Sequence, residues 1–195
     1  MAMKIAVIAV QGAFREHIQA LRQLGADAVE ARRAGELENV DGVVIPGGES
    51  TAIGKLMREY DMIDPVRKMA ADGKPIFGTC AGMIVLAKRI EGEETVHLGL
   101  MDVTVNRNSF GRQRESFEAD LEIPALGEAT FPAVFIRAPH IAAVGDEVEV
   151  LARYRDRIVA VRQGNLLATS FHPELTGDLR LHQYFLNLAK ESVAN

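Results

Sequence analysis

Apolar and polar positions along this 195-residue chain fall into two regimes. Up to about Gly99, apolar runs of strand length alternate with segments whose apolar residues recur at helical spacing. Residues 4–10 form a continuous apolar run, the pattern of a strand buried on both faces. In residues 14–24 the apolar positions Phe14, Ile18, Leu21 and Leu24 share a helical face, and Gly25 ends the segment. A weak strand signal at 28–31 precedes a stronger one at 42–45, which runs into Pro46-Gly47-Gly48. Ser50 or Thr51 is placed to cap a helix reaching about Tyr60, and a short helix at 65–71 ends before Gly73. A strand at 75–79 and a helix at 83–88 complete this half. The second half reads mostly as strands, at 100–105, 117–123, 133–136, 148–154, 158–163 and 166–171. A closing amphipathic helix at 178–193 turns Leu181, Phe185, Leu188 and Val193 inward. With no repeat, low-complexity tract or linker, the pattern predicts one α/β domain over residues 1–195 with a mixed sheet.

Composition narrows the class of molecule. Hydrophobic content of 48% and charged content of 25% are ordinary for a globular protein. The excess of 27 acidic over 22 basic residues, a net charge of -5, argues against nucleic acid as a partner. One cysteine excludes an internal disulfide or a cysteine-based zinc site and fits a reducing cytoplasm. The first apolar run is too short for a signal-peptide core, and nothing has the length of a membrane span, so the reading is cytoplasmic.

That lone cysteine sits in Gly78-Thr79-Cys80-Ala81-Gly82, directly after the apolar run Pro75-Ile76-Phe77. A strand breaking sharply into a helix strains its turning residue, and small neighbours let that side chain stand clear. The arrangement reads as a nucleophile elbow with cysteine in place of serine. The following helix would aim N–H groups at the sulfur and favour its thiolate. A cysteine nucleophile needs a base held in one tautomer by a third group. Of the five histidines, His17 and His182 fall in helices, where packing or solvation explains them, and His97 lies in a loop-like stretch without a partner acid. His140, after Pro139, is a second choice. His172 ends a core strand before Pro173, which favours an extended backbone, so Glu174 two residues on would project beside it. Acyl transfer also needs N–H donors for the developing oxyanion. Ala81 supplies one, and the Pro46-Gly47-Gly48-Glu49-Ser50 turn, through Gly48, a second. That turn is not a phosphate loop, since no Gly-Lys-Ser/Thr follows it.

These three motifs, in this order, resemble those of the class I (triad) glutamine amidotransferases. The resemblance extends through Val10-Gln11-Gly12-Ala13, Arg107-Asn108-Ser109-Phe110-Gly111-Arg112-Gln113, Ser116-Phe117-Glu118-Ala119-Asp120 and Phe135-Ile136-Arg137-Ala138-Pro139-His140, so it covers nearly the whole chain. The Arg107 and Arg137 segments narrow it to the branch of glutaminase subunits of pyridoxal 5'-phosphate synthases. The resemblance implies a central mixed, mostly parallel sheet flanked by helices, and hydrolysis of L-glutamine to glutamate and ammonia. It implies that Cys80 attacks the side-chain amide, that His172 shuttles protons with Glu174 orienting it, and that a glutamyl thioester forms. Gly48, Glu49, Ser50, Arg107, Ile136 and Arg137 would line the glutamine site, Ile136 through its main chain. Either arginine suits the substrate carboxylate, because a guanidinium grips it with paired hydrogen bonds.

The motifs leave no room within this chain for an ammonia-consuming domain. Ammonia is mostly protonated at neutral pH, so it should pass directly to an attached acceptor site. The resemblance supplies that acceptor as a separate barrel-forming synthase subunit in a hetero-oligomer. It implies a glutaminase weakly active alone that completes its oxyanion hole on docking, with Gln11-Gly12-Ala13 and the Gly47-Gly48 turn as the coupling surface. No metal or cofactor is expected, and pyridoxal phosphate would be the product of the complex. The competing readings are another Cys-elbow hydrolase, γ-glutamyl hydrolase or peptidase-like, and a catalytically silent glutamine-sensing module.

Overall fold

A computed structural model describes residues 2–107 and 116–194. Residues 108–113, Arg112 among them, include sequence signals that lie outside the described residues. The first half contains β1 (Lys4–Ile8), α1 (Phe14–Gln23), β2 (Asp27–Ala31), β3 (Gly42–Ile45), α2 (Ser50–Glu59), α3 (Ile63–Ala71), β4 (Ile76–Thr79), α4 (Ala81–Leu86) and β5 (Ala87–Ile90). The second contains β6 (Met101–Asn106), β7 (Ser116–Leu121), β8 (Phe131–Ile136), β9 (His140–Val144), β10 (Glu149–Tyr154), β11 (Arg157–Gln163), β12 (Leu166–Thr169) and α5 (Arg180–Ala194).

One mixed sheet runs in the order β2-β1-β3-β4-β12-β11-β9-β6-β5, with β10 paired to β11. From β2 to β12 every pairing is parallel, and the antiparallel pairings begin at β11. β7 and β8 form a separate antiparallel pair. Successive residues of β4 enter opposite layers, as a strand buried on both faces requires. Ile76 packs with Ile53, Met57, Val66 and Met83 from the α2–α4 side, and Phe77 with Ile18, Leu21, Leu181 and Phe185 from α1 and α5. Each such side chain contributes about 1.5–3 kcal/mol by leaving water. Among the described residues no helix is long and apolar enough to cross a membrane.

Several sequence expectations need correction. The predicted helix at 83–88 is displaced: α4 ends at Leu86, and Ala87 turns to φ -67°, ψ 143° to begin β5 beside β6. Met83 to Leu86 is apolar at every position and wholly buried, so neither period stands out. Neither Ser50 nor Thr51 caps α2; the carboxylate of Glu49 does, accepting from the N–H groups of Thr51 and Ala52 at 3.3 and 3.0 Å. The last predicted strand stops at Thr169, short of Phe171. β9 had no clear alternation to announce it. Val193, expected inward, is 57% exposed near the end of α5, where the buried stripe has already ended at Ala189.

The β4–α4 corner is closely packed. A methyl group at Gly82 would sit 2.1 Å from the carbonyl oxygen of Ile45 in β3, and one at Gly78 would sit 2.5 Å from the carbonyl oxygen of Gly82. The corner therefore admits no side chain at either position without moving backbone. Gly82→Ala is expected to lower stability by about 1–3 kcal/mol, read from the denaturation midpoint. Gly177→Ala, whose added methyl meets nothing within 4 Å, serves as the neutral control.

Candidate active site

Four neighbouring parallel strands, β1, β3, β4 and β12, deliver their C-terminal ends to one rim of the sheet. In open α/β sheets that rim is where ligands bind. Here it collects Gln11-Gly12 after β1, the Gly47-Gly48 turn after β3, Cys80 after β4 and His172 after β12.

Cys80 occupies the turn between β4 and α4 with φ 52° and ψ -106°, left-handed backbone that a side-chain-bearing residue rarely adopts. Its N–H donates to the Thr169 carbonyl at 2.8 Å, and its own carbonyl accepts from Met83 at 3.1 Å, so the strained residue is held from both sides. The thiol, 7% exposed, points toward the carbonyl oxygen of Ile136 at 3.7 Å. That carbonyl ends β8, and Arg137 immediately after it turns through φ 45°. The same strand anchors the histidine, because the His172 N–H donates to the Val134 carbonyl at 2.8 Å.

His172 and Glu174 meet at 2.8 Å, Nδ1 donating to Oε2. The sequence placed them together through strand alternation, but Pro173–Leu175 is a single tight 3-10 turn. The turn, not an extended strand, folds the carboxylate back against the ring. Burial by itself would lower the pKa of His172; hydrogen bonds and charges from Cys80 and Glu174 overcome it and raise the value to about 10. The imidazole is hydrogen-bonded to a buried carboxylate, and interactions with both Cys80 and Glu174 favour its protonated form.

Gly47 lies against this pair: a methyl group there would come 2.3 Å from His172 Cε1 and 3.4 Å from Cys80 Cβ. The glycine turn is tied in turn to the loop after β1. Ala13 N–H donates to the Gly47 carbonyl at 2.9 Å, and Glu49 N–H donates to Gln11 Oε1 at 2.8 Å. Ala81 is the first residue of α4, where a helix leaves its N–H groups without intrahelical acceptors. Arg107 pairs with Glu93 at 3.1 Å and reaches Glu49 at 3.9 Å. Ser50 is buried, and its hydroxyl has no hydrogen-bond partner among the described residues.

Residues 7–191 match the SNO glutamine amidotransferase family. The chain belongs to that family. It is 60% identical over 190 residues to "Pyridoxal 5'-phosphate synthase subunit PdxT" of Geobacillus thermodenitrificans, covering 97% of each chain. It is also 60% identical over 186 residues to the protein of the same name from Moorella thermoacetica, covering 95% of this chain and 99% of that one. A crystal structure of a glutamine amidotransferase superposes with a TM-score of 0.91 at 55% identity, over 95% of this chain and 98% of the other.

Of the other histidines of this glutamine amidotransferase, His17 and His182 lie in helices and His97 in a loop, as the sequence suggested. His97 is buried against Gly54 with its Nδ1 3.2 Å from Arg58, and His140 begins β9, two strands from β12 in the sheet order. His17 and His182 are fully buried and hydrogen-bonded to each other, and His17 approaches Glu174. No local signal announced that pairing, since the two lie 165 residues apart. Among the described residues no three His, Cys, Asp or Glu side chains are grouped to hold a metal ion.

Because the folded-state pKa of His172 lies above its ordinary 6.5, its contribution to stability is complete below about pH 6.5 and lost as pH rises through about 10. Histidine NMR titration, with the resonance identified by its absence in His172→Asn, should give a midpoint near 10. In Glu174→Gln the midpoint should move down; a midpoint near 6.5 in the unaltered chain would contradict the pairing.

Proposed function

We propose that this chain is the glutaminase subunit of a pyridoxal 5'-phosphate synthase and that Cys80, His172 and Glu174 carry its chemistry. The full-length likeness to subunits of that name supports the first part. The single observation supporting the second is a strained, glycine-flanked cysteine that lies against Gly47 together with an imidazole that a buried carboxylate orients.

The Cys80 sulfur, its proton already passed to His172, attacks the side-chain amide carbon of L-glutamine, and the carbonyl oxygen takes up the negative charge. The N–H groups of Gly48 and Ala81 receive that oxyanion; losing one such donor typically costs about 10²–10³ in kcat. His172 gives its proton to the amide nitrogen, the C–N bond breaks, and ammonia leaves a glutamyl thioester on Cys80. The imidazole, now neutral, takes a proton from water as the hydroxyl adds to the thioester carbon. Collapse expels the sulfur and releases glutamate. Glu174 holds the Nδ1–H tautomer throughout, so Nε2 remains the atom that exchanges protons with substrate.

Glu49, Ser50, Arg107, Arg137 and the main chain of Ile136 form the glutamine site in this reading. Arg107 is half-way to that role already, its guanidinium spread between two carboxylates where a substrate carboxylate would compete. The chain acts as one glutaminase domain in the cytoplasm, docked to a separate synthase subunit that consumes the ammonia. The hydrogen bonds joining Gln11 and Ala13 to the Gly47–Glu49 turn give docking a direct mechanical route to the oxyanion site.

Glutamate and ammonia release, measured with the synthase subunit present, tests the assignment. Cys80→Ala should abolish turnover while calorimetry still registers glutamine binding; persistent turnover would remove Cys80 from the mechanism. Release of glutamate from γ-glutamyl peptides in preference to free glutamine would point instead to a peptide hydrolase.

Arg107→Ala should raise KM for glutamine about 10- to 100-fold with little change in kcat, the loss of one charged hydrogen-bonded contact. An unchanged KM would exclude Arg107 from the substrate site.

A further inference from the structure

Behind Glu174 lies a polar group that the proposed chemistry leaves unused. One carboxylate oxygen, Oε2, accepts from His172, while Oε1 is buried with no hydrogen bond among the described residues. The basic nitrogen recorded within 4.0 Å of that oxygen is His17 Nε2 in α1, at 3.7 Å. This nitrogen also lies 3.1 Å from the hydroxyl of Thr79, the residue before Cys80. On its far side His17 Nδ1 lies 2.9 Å from His182 Nε2 in α5. Both rings are 0% exposed, and His182 Nδ1 has no hydrogen-bond partner among the described residues.

Proton counting assigns the tautomers. One proton lies between His17 Nδ1 and His182 Nε2. Were it on His17, the neutral His17 would turn a lone pair at Nε2 toward a buried carboxylate oxygen, with the Thr79 hydroxyl as the one recorded group able to donate to it. His182 would then carry its own proton at Nδ1, a buried donor without an acceptor, which folded proteins seldom tolerate. With the proton on His182 no ring N–H is left without an acceptor: His182 donates to His17, and His17 Nε2–H faces Thr79 Oγ1 and Glu174 Oε1. The ring nitrogen left without a partner among the described residues, His182 Nδ1, is then an acceptor rather than a donor.

Resting on the reading of Cys80, His172 and Glu174 as the triad, we propose that His17 is a positioning residue for the reaction. Its Nε2–H dipole fixes the second oxygen of Glu174 so that the first stays on His172 Nδ1. Burial, with the neighbouring His182 and His172, holds the pKa of His17 well below 6.5, and burial holds that of His182 near 4. A neutral donor suits the task, because it orients the carboxylate without cancelling the charge that His172 needs. A charged His17 would draw that charge away. Contact with Thr79 lets the same ring reference both the nucleophile's strand and the orienting acid.

The test uses this chain with its synthase subunit. His17→Phe should lower kcat about 10- to 100-fold, as loss of an outer-shell partner of a working histidine does elsewhere, with KM within about twofold. His17→Gln, which keeps an N–H donor, should recover most of the loss. In a Glu174→Gln background His17→Phe should cost little more, whereas a purely structural role would cost the same in both backgrounds. Unaltered kcat in His17→Phe beside an inactive Cys80→Ala would overturn the positioning role and leave the triad standing. An active Cys80→Ala would overturn the triad itself. Should His17→Phe fail to fold, 15N-histidine spectra of the unaltered chain decide the matter: neutral His17 protonated at Nε2 at pH 7 is required, and the Nδ1–H tautomer or an imidazolium would refute it.

Discussion

The left-handed backbone of Cys80 is the constraint around which the rest of the molecule is arranged. Holding a non-glycine residue at φ 52°, ψ -106° costs on the order of 1–3 kcal/mol, and it persists only where the surroundings over-determine it. Here β4 enters the turn between β3 and β12, and α4 leaves it with Gly82 seated on the backbone of Ile45. The N–H of Cys80 is claimed by Thr169, so the strand that carries His172 also pins the turn that carries the sulfur. Burial of Phe77, Ile76 and Met83 on the two sides of the sheet supplies the stabilisation that offsets the strain.

From that corner the geometry of the site follows with few free choices. β8, which is not hydrogen-bonded into the main sheet among the described residues, crosses to meet the end of β12 through Val134 and the sulfur through Ile136. The 3-10 turn at Pro173–Leu175 folds Glu174 under the imidazole, and the helices α1 and α5 close over the far side of that carboxylate with His17 and His182. A strand-end rim therefore backs directly onto a buried polar cluster. The proposed reactive groups lie on the rim, and the cluster lies directly behind them.

Much of this was legible in the sequence wherever the chemistry is local. Gly78 and Gly82 around a single cysteine announce the turn, because no other residue fits either place. His172 and Glu174 are two residues apart and were paired for the right chemical reason, although through the wrong local geometry. Where several backbone outcomes bury the same side chains, the sequence was ambiguous. Met83 to Leu86 fits helix or strand equally, and Glu49 competed with Ser50 for a cap that either could make. The His17–His182 contact was invisible, because only the completed sheet brings α1 and α5 together behind β4.

The account stands on a covalent bond between glutamine and one sulfur. Rapid-quench mass spectrometry of the chain turning over glutamine with its synthase subunit should find a glutamyl adduct on the peptide containing Cys80, removed by hydroxylamine as a thioester would be. Steady release of ammonia with no adduct on Cys80, or an adduct on any other residue, would contradict it.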